Sequence, residues 1–453
     1  MGQILISAAN KSSGKTIVTT GICSALRAQN KVVQPFKKGP DYIDPLWLSA
    51  AAQRNCYNLD FWTQTEEDIL QLYQSKSEPA DLSIVEANKG LYDGMDLDGS
   101  NSNAALAKLL NTPVVLVLDC RGTIRGVAPL LLGYQGFDPE VNIKGVILNF
   151  VGGSRHESKL RRVIEHYTDV KVLGAIQRDE NLILEERYLG LMPSNEDDDA
   201  TNKIDTLGRL ISEQVDLDSL QALASPIPCK PASQLPTNSQ YPFRIAYAKD
   251  RAFGFYYPDD LETFTRHGAT LIPFDTLKDK NLPAADALFL GGGFPEKCLS
   301  ELAKNTSLRQ QILQALSAGL PAYAECGGLM YLCNSIQYDG QQADMVGLIN
   351  AECIMTSTPQ GRGYIQFSEN QNTPWPDKPS ADIKAHEFHY SYLEALPTNY
   401  TFAFNVSRGH GIHQQQDGIF IHNTLACYAH QRHTKQNPWI TRFLKFIESV
   451  QSK

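Results

Sequence analysis

The sequence predicts two α/β domains in succession, the first built on a parallel sheet covered on both faces. Three observations carry this reading. Continuous apolar runs alternate with stretches of helical spacing, the pattern of strands buried on both sides. The alternation is interrupted once, at SPIPCKPASQLPTNSQYPF (225–243), a linker by its Pro, Ser and Gln content. After it the alternation restarts, so the domains are expected at 1–224 and 244–453 with a linker at 225–243.

In the first half, QILISAA (3–9) reads as a strand and 14–29 as a helix, with Ile17, Val18, Gly21, Ile22 and Leu26 at helical spacing. FKKGPDYIDP (36–45) is a turn-rich segment after a strand. LSIVEA (82–87), TPVVLVLD (112–119), KGVILNFV (144–151) and KVLGAI (171–176) are further strands, with NAALAKLL (103–110) a helix between the first two. A polar run, SNEDDDATN (194–202), precedes a short helical stretch to about Ala224. In the second half RIAYAKD (244–250) and ADALFLGGG (285–293) read as strands, and LETFTRHGA (261–269) and SLRQQILQALSAGL (307–320) as helices. PAYAECGGLMYL (321–332) is a strand running through a sharp turn into a helix.

Composition narrows the function. Of 453 residues, 42% are hydrophobic and 20% charged, an ordinary globular balance that argues against a disordered chain. No apolar stretch is long enough to span a membrane, and the N-terminus reads as a strand entering a loop rather than a signal peptide. A net charge of −9 argues against a general nucleic-acid binder. Nine cysteines, an odd number without a CxxC pair, argue against a disulfide framework and for a reducing cytoplasm. The sequence leaves the oligomeric state open, a homodimer included.

Ala9 to Thr16, AlaAsnLysSerSerGlyLysThr, matches the phosphate-loop pattern GxxxxGK[ST] except at Ala9, and it follows a strand and opens a helix. Asn10, Lys11, Ser12, Ser13 and Gly14 would wrap a phosphate, Lys15 would reach the β- and γ-phosphates, and the Thr16 hydroxyl would bind Mg²⁺. Mg²⁺ also needs a carboxylate. Glu86, which closes the strand LSIVE, and Asp44, with Asp41 close by, are the candidates, and each also reads as a solvated loop acid. Lys37, Lys38, Arg125 and Arg187 are candidates for a local basic pocket, although such residues are more often solvated surface charges.

Cys326 lies in AlaGluCysGlyGly, on a strand-to-helix turn that exposes a nucleophile. The following N–H groups and the helix N-terminus are expected to lower its pKa. Gly327 permits the tight turn, and with Gly292 and Gly293 it offers N–H groups for an oxyanion hole. The base is one of the histidines crowded into the last third, His386, His389, His410, His413, His422, His430 and His433, and spacing does not choose among them.

With GKT, FKKGPDYIDP, NLDFW (58–62), EANKGLYDG (86–94), GSNSNAALA (99–107), ERYLGL (186–191), AFGFYYPDDLE (252–262), LGGGFPE (290–296), AYAECGGLMYL (322–332) and HEFHYS (386–391), the chain resembles the cobyrinic acid a,c-diamide synthase family over nearly its whole length. The resemblance implies an N-terminal ATP-binding domain similar to dethiobiotin synthetase and a C-terminal class I glutamine amidotransferase domain of flavodoxin-like α/β fold. It implies Cys326 as nucleophile and, from NTLACYAHQRH (423–433), His430 as its base. Arg432 stands where many class I amidotransferases carry a glutamate that orients the histidine, so no orienting acid is readable. On the ATP side it implies Thr16, Asp44 and Glu86 as Mg²⁺ ligands and Tyr92, Asp93 and Gly94 near the tetrapyrrole carboxylate. The implied reaction uses glutamine and ATP to amidate the a and c acetates of a tetrapyrrole through an acyl phosphate, with the two sites facing one another. LWL (46–48) and Tyr188 replace histidines the family usually carries, and this makes sirohydrochlorin, its nickel complex or sirohaem candidate rings beside cobyrinate. Two alternatives are a P-loop switch ATPase with an idle amidotransferase domain and a ligase of the cobyric acid synthase type.

Overall fold

The computed structural model describes residues 1–178, 186–187, 190–227 and 240–452. The chain forms two compact units, Met1–Ser233 and Gln234–Lys453. The division falls inside the stretch read as a linker. The start of that stretch is part of the first unit, because Ser225–Pro226 pairs antiparallel with the first strand.

The first unit is a parallel sheet with helices between its strands. Strands β1 (Gly2–Ala8), β2 (Val33–Lys38), β3 (Tyr57–Leu59), β4 (Leu82–Glu86), β5 (Val114–Asp119), β6 (Ile143–Val151) and β7 (Lys171–Gln177) run in the order β3-β2-β4-β1-β5-β6-β7. β4 is buried at every residue, and β1 and β5 at all but one, which is why these strands read as unbroken apolar runs. β8 (Glu186–Arg187) and β9 (Gly190–Leu191) form a small antiparallel pair, and β10 is Ser225–Pro226.

Helices α1 (Lys15–Ala28), α2 (Ile43–Ala52), α3 (Glu66–Ser77), α4 (Asn103–Leu110), α5 (Val127–Phe137), α6 (Ser154–Tyr167), α7 (Ala200–Gln214) and α8 (Leu217–Leu223) accompany the sheet. The polar run 194–202 ends as the first turn of α7. Register fixes the site. Ile6 of β1 stands beside Glu86, and Lys37 of β2 stands on its other side, so three strand ends converge at the carboxyl edge of the sheet.

The second unit carries a mixed sheet. β11 (Arg244–Ala248), β12 (Thr270–Phe274), β13 (Ala287–Leu290) and β14 (Ala322–Glu325) are parallel, with α9 (Pro258–Arg266), α10 (Leu299–Lys304), α11 (Thr306–Ser317) and α12 (Gly327–Leu332) among them. Beyond residue 332, which the sequence reading did not resolve into elements, the chain turns largely antiparallel. β15 (Cys333–Tyr338), β16 (Gln341–Asp344), β17 (Ile349–Met355), β18 (Gly361–Glu369), β19 (Ile383–His389), β20 (Ser391–Glu394), β21 (Thr401–Arg408), β22 (Gln416–Ile421) and β23 (Thr424–Cys427) precede a last helix, α13 (Trp439–Gln451). The main sheet has the order β12-β11-β13-β14-β23-β22-β21-β18-β19, and β16-β15-β17-β20 form a smaller one. β23 lies parallel beside β14 and brings Cys427 opposite Glu325, so the segment after β23 returns to the turn that follows β14.

Candidate active sites

The phosphate loop joins β1 to α1. Gly14 precedes the helix at φ 77°, a left-handed conformation, and a Cβ there would lie 2.3 Å from Asn149 Nδ2. Asn149, at the end of β6, donates from that amide to the Ser13 carbonyl at 2.8 Å. The sequence reading missed this support, for which a polar residue late in an apolar strand is the available signal. Ser13 is buried and donates to Asn10, whereas Asn10, Lys11 and Ser12 are exposed.

Behind the loop, two lysines and two carboxylates share one point. The Thr16 hydroxyl donates to Glu86 Oε1 at 2.9 Å and to Asp44 Oδ2 at 3.2 Å. Lys15 Nζ lies 3.2 Å from Glu86 Oε1. Lys37 Nζ donates to the same Glu86 oxygen at 2.7 Å and also to Asp44 Oδ2. Asp44 and Glu86 are therefore brought together with Thr16. Lys37, read as a solvated charge, is instead only 1% exposed, and Lys38 is buried with its ammonium on the Asn101 carbonyl. Both sit at the end of a strand buried on both faces, and position in sequence does not disclose this.

The charges settle one another. Burial would lower the Lys37 pKa, but Asp44, Glu86 and Asp41 outweigh it and hold the ammonium above its ordinary value. Burial and the Lys37 charge push Lys15 below its ordinary value. Burial would raise Asp44, yet Lys37 and Lys15 hold it low, while burial and the Asp44 charge push Asp41 up to about 7. Glu86 Oε2 is buried without a hydrogen-bond partner. Of the expected substrate residues, Tyr92 is half-buried and donates to the Tyr134 carbonyl at 2.6 Å, while Tyr134 in turn donates to the Ala9 carbonyl. Asp93 is exposed and accepts from the Gly90 N–H, and Gly94 packs against Asn101.

In the second unit Cys326 caps α12 with φ 47° and ψ −101°, a strained nucleophile turn. Its N–H donates to the Cys427 carbonyl at 2.8 Å. Contrary to the expected lowering, burial first and the Glu296 charge next push the Cys326 thiol up, and the Gly327 N–H opposes them only in part. α12 has a single short turn or two, too little to outweigh burial of the sulfur. The glycines fit closely around this turn. A Cβ on Gly292 would lie 2.5 Å from His430 Cε1, one on Gly293 2.0 Å from the Ala252 carbonyl, and one on Gly327 3.0 Å from the Gly293 nitrogen. Gly292, Gly293 and Gly327 thus converge beside Cys326 and His430.

His430 is buried and stacks on His386, with centroids 4.7 Å apart and an interplanar angle of 12°. The two residues also exchange backbone hydrogen bonds. Burial, then the His430 and Arg432 charges, hold His386 well below its ordinary pKa. Arg432 is buried, donates to Asp259 Oδ2 at 2.8 Å, and covers the Tyr257 ring at 4.6 Å. Glu325, the residue before the cysteine, lies with Oε2 3.5 Å from His430 Nδ1. Sequence reasoning missed it.

Comparison with known proteins decides the family. Residues 4–189 match a family described as CobQ/CobB/MinD/ParA nucleotide binding domain, and residues 244–438 one described as CobB/CobQ-like glutamine amidotransferase domain. A protein of Magnetococcus marinus named cobyrinate a,c-diamide synthase is 43% identical over 94% of this chain and 93% of its own length. The chain belongs to the cobyrinate a,c-diamide synthase family. Proteins of the same name from Listeria monocytogenes and Methanosarcina barkeri are also similar, the first 40% identical over 95% of this chain and 96% of its own length, the second 38% identical over 94% and 92%. As a member of this family the chain is an ATP-dependent ligase that uses glutamine. Among the described residues no helix is long and apolar enough to cross a membrane.

Proposed function

We propose that this protein amidates the a and c acetate side chains of cobyrinate, with ATP and glutamine as co-substrates and in the cytoplasm. The observation that carries the reading is that relatives named for this reaction align with over nine-tenths of the chain, while the chain keeps the groups for both half-reactions. A carboxylate does not react with ammonia at neutral pH, so the acetate oxygen attacks the γ-phosphorus of ATP, ADP leaves, and an acyl phosphate forms. The Lys15 ammonium and the N–H groups of residues 10–16 stabilise the charge on the transferred phosphoryl. Mg²⁺ suits the oxygen donors of Thr16, Asp44 and Glu86, and the buried, unpartnered Glu86 Oε2 supports that fit. These three residues would hold the ion, which would neutralise phosphate charge.

In the other unit Cys326 is held as a thiol at rest, so His430 takes its proton as the sulfur attacks the glutamine amide carbon. The N–H groups of Gly292, Gly293 and Gly327 hold the tetrahedral oxygen. His430 returns the proton to the leaving nitrogen, the C–N bond breaks, and water then cleaves the thioester to glutamate. Ammonia attacks the acyl carbon and phosphate leaves. Tyr92, Asp93 and Gly94 line the approach of the ring carboxylate.

Cobyrinate is favoured over a sirohydrochlorin-type ring by what surrounds LWL. Trp47 and Leu48 lie on the buried face of α2, and the Trp47 indole donates to the Met192 carbonyl at 2.8 Å. The burial of Trp47 and Leu48 supports packing rather than ring choice as the reason for these two residues. Tyr188 lies outside the described residues. The test supplies cobyrinate, sirohydrochlorin, its nickel complex and sirohaem in turn with ATP, Mg²⁺ and glutamine, and reads mass. Two amidations of cobyrinate at the highest kcat/KM support the reading, and a preference for another ring overturns it.

A further inference from the structure

The position two residues after His430, where many related enzymes carry an orienting acid, holds Arg432. Its guanidinium is committed to Asp259 and to the face of Tyr257. An imidazole that must accept a proton at Nε2 needs its own proton at Nδ1, and an acceptor fixed beside Nδ1 selects that tautomer. A carboxylate does approach His430: Glu325 Oε2 lies 3.5 Å from its Nδ1.

Glu325 is built for one orientation. It closes β14, and on a strand the side chains of Tyr323 and Glu325 share a face. The Tyr323 hydroxyl donates to Glu325 Oε1 at 2.8 Å, and the N–H of Gln431, the residue next to His430, donates to the same oxygen at 2.9 Å. The Gln431 side chain in turn donates to the Tyr323 hydroxyl at 2.9 Å. Two donors thus pin one carboxylate oxygen and leave Oε2 turned toward Nδ1. The opposite constraint comes from Gly292, where any side chain would strike His430 Cε1. Both Glu325 and His430 are buried, so the pair is shielded from solvent. At 3.5 Å the approach is an ion-pair distance rather than a formed hydrogen bond, and catalytic hydrogen bonds often tighten only when substrate binds.

We propose that Glu325 is the positioning residue of the glutaminase site: it holds the His430 imidazole in the tautomer that accepts the Cys326 proton and stabilises the imidazolium that follows. The nucleophile and its orienting acid are then chain neighbours. This rests on the assignment of Cys326 and His430 made above.

Glu325→Gln is the informative variant, because its remaining amide oxygen still accepts from Tyr323 and Gln431 while its NH₂ group faces Nδ1 as a donor and favours the wrong tautomer. Glutaminase kcat should fall on the order of 10²-fold or more with KM for glutamine unchanged, and ammonia-dependent synthesis should persist. Glu325→Asp, which keeps the charge, should recover part of the loss. Should Glu325→Gln fail to fold, Glu325→Asp decides alone: withdrawn by one methylene, it should lower kcat and leave KM unchanged. Normal kcat in the folded Gln variant, or in the Asp variant if Gln does not fold, overturns the proposal, as does a loss seen mainly in KM. Cys326→Ala separates the two levels. If it retains glutamine use, the underlying assignment fails. If it loses glutamine use while the Glu325 variants stay normal, only the role of Glu325 fails.

Discussion

Each unit ends an apolar strand in a buried glutamate, Glu86 after LSIV and Glu325 after AYA, and in the proposed mechanism the two glutamates serve opposite ends of the chemistry. Glu86 sits among cations, with Lys15, Lys37 and the Thr16 hydroxyl on one of its oxygens and no hydrogen bond to the other among the described residues. Glu325 sits among neutral donors, with one oxygen pinned by Tyr323 and Gln431 and the other near an imidazole. On this proposal the first arrangement stores charge for a phosphoryl group and the second stores a direction for a proton. A buried carboxylate at the carboxyl end of a strand is costly unless it is paired, so in both units its partners define what the site is for.

That contrast is open to attack at several strengths. Lys15→Ala removes the ammonium proposed to face the transferred phosphoryl, so amidation should fall on the order of 10³-fold or more with either nitrogen source. Full ammonia-dependent synthesis in this variant would dissolve the contrast. Glu86→Gln should lower synthesis on the order of 10²-fold and raise the Mg²⁺ concentration for half-maximal rate, with glutaminase activity less affected. A magnesium titration of both activities checks this.

Trp47→Ala tests packing against ring recognition. It should cost about 3–5 kcal/mol of stability in the first unit without changing the ranking of tetrapyrrole substrates. Urea unfolding and the substrate panel read the two halves of that statement. The smallest effect concerns the thiol. An anion at Glu296 helps hold Cys326 protonated, so Glu296→Gln should lower its pKa and speed iodoacetamide labelling of Cys326 at pH 8 by a few-fold. In the unsubstituted protein labelling should still be climbing between about pH 8 and 10, since the pKa is raised above the ordinary thiol range. Peptide-resolved mass spectrometry measures both.

Much of this was legible before any coordinates. The strand–loop–helix context of GKT and the cysteine on a strand-to-helix turn each depend on local geometry, which neighbouring residues dictate. The parallel strands were legible because burial on both faces leaves an apolar run. The antiparallel strands after residue 332 were not, since strands such as β18 alternate buried and accessible residues with charged and aromatic side chains mixed in. Lys37 was misread because its burial depends on register with Glu86, a partner 49 residues away. Glu325 was overlooked although it carried the signal that singled out Glu86, an acid closing an apolar strand. The resemblance directed attention to the slot after His430, and the approach of Glu325 to that ring comes from β14 and β23 lying side by side.

The central claim is that one chain makes an acyl phosphate at one site and supplies its nitrogen from another. Cys326→Ala tests it most directly, assayed with cobyrinate, ATP and Mg²⁺ and given either glutamine or a high concentration of ammonium. The account predicts that glutamine-dependent amidation disappears and that ammonium-dependent diamide forms within about threefold of the wild-type rate. Undiminished use of glutamine, or loss of both nitrogen sources in a folded variant, would contradict it.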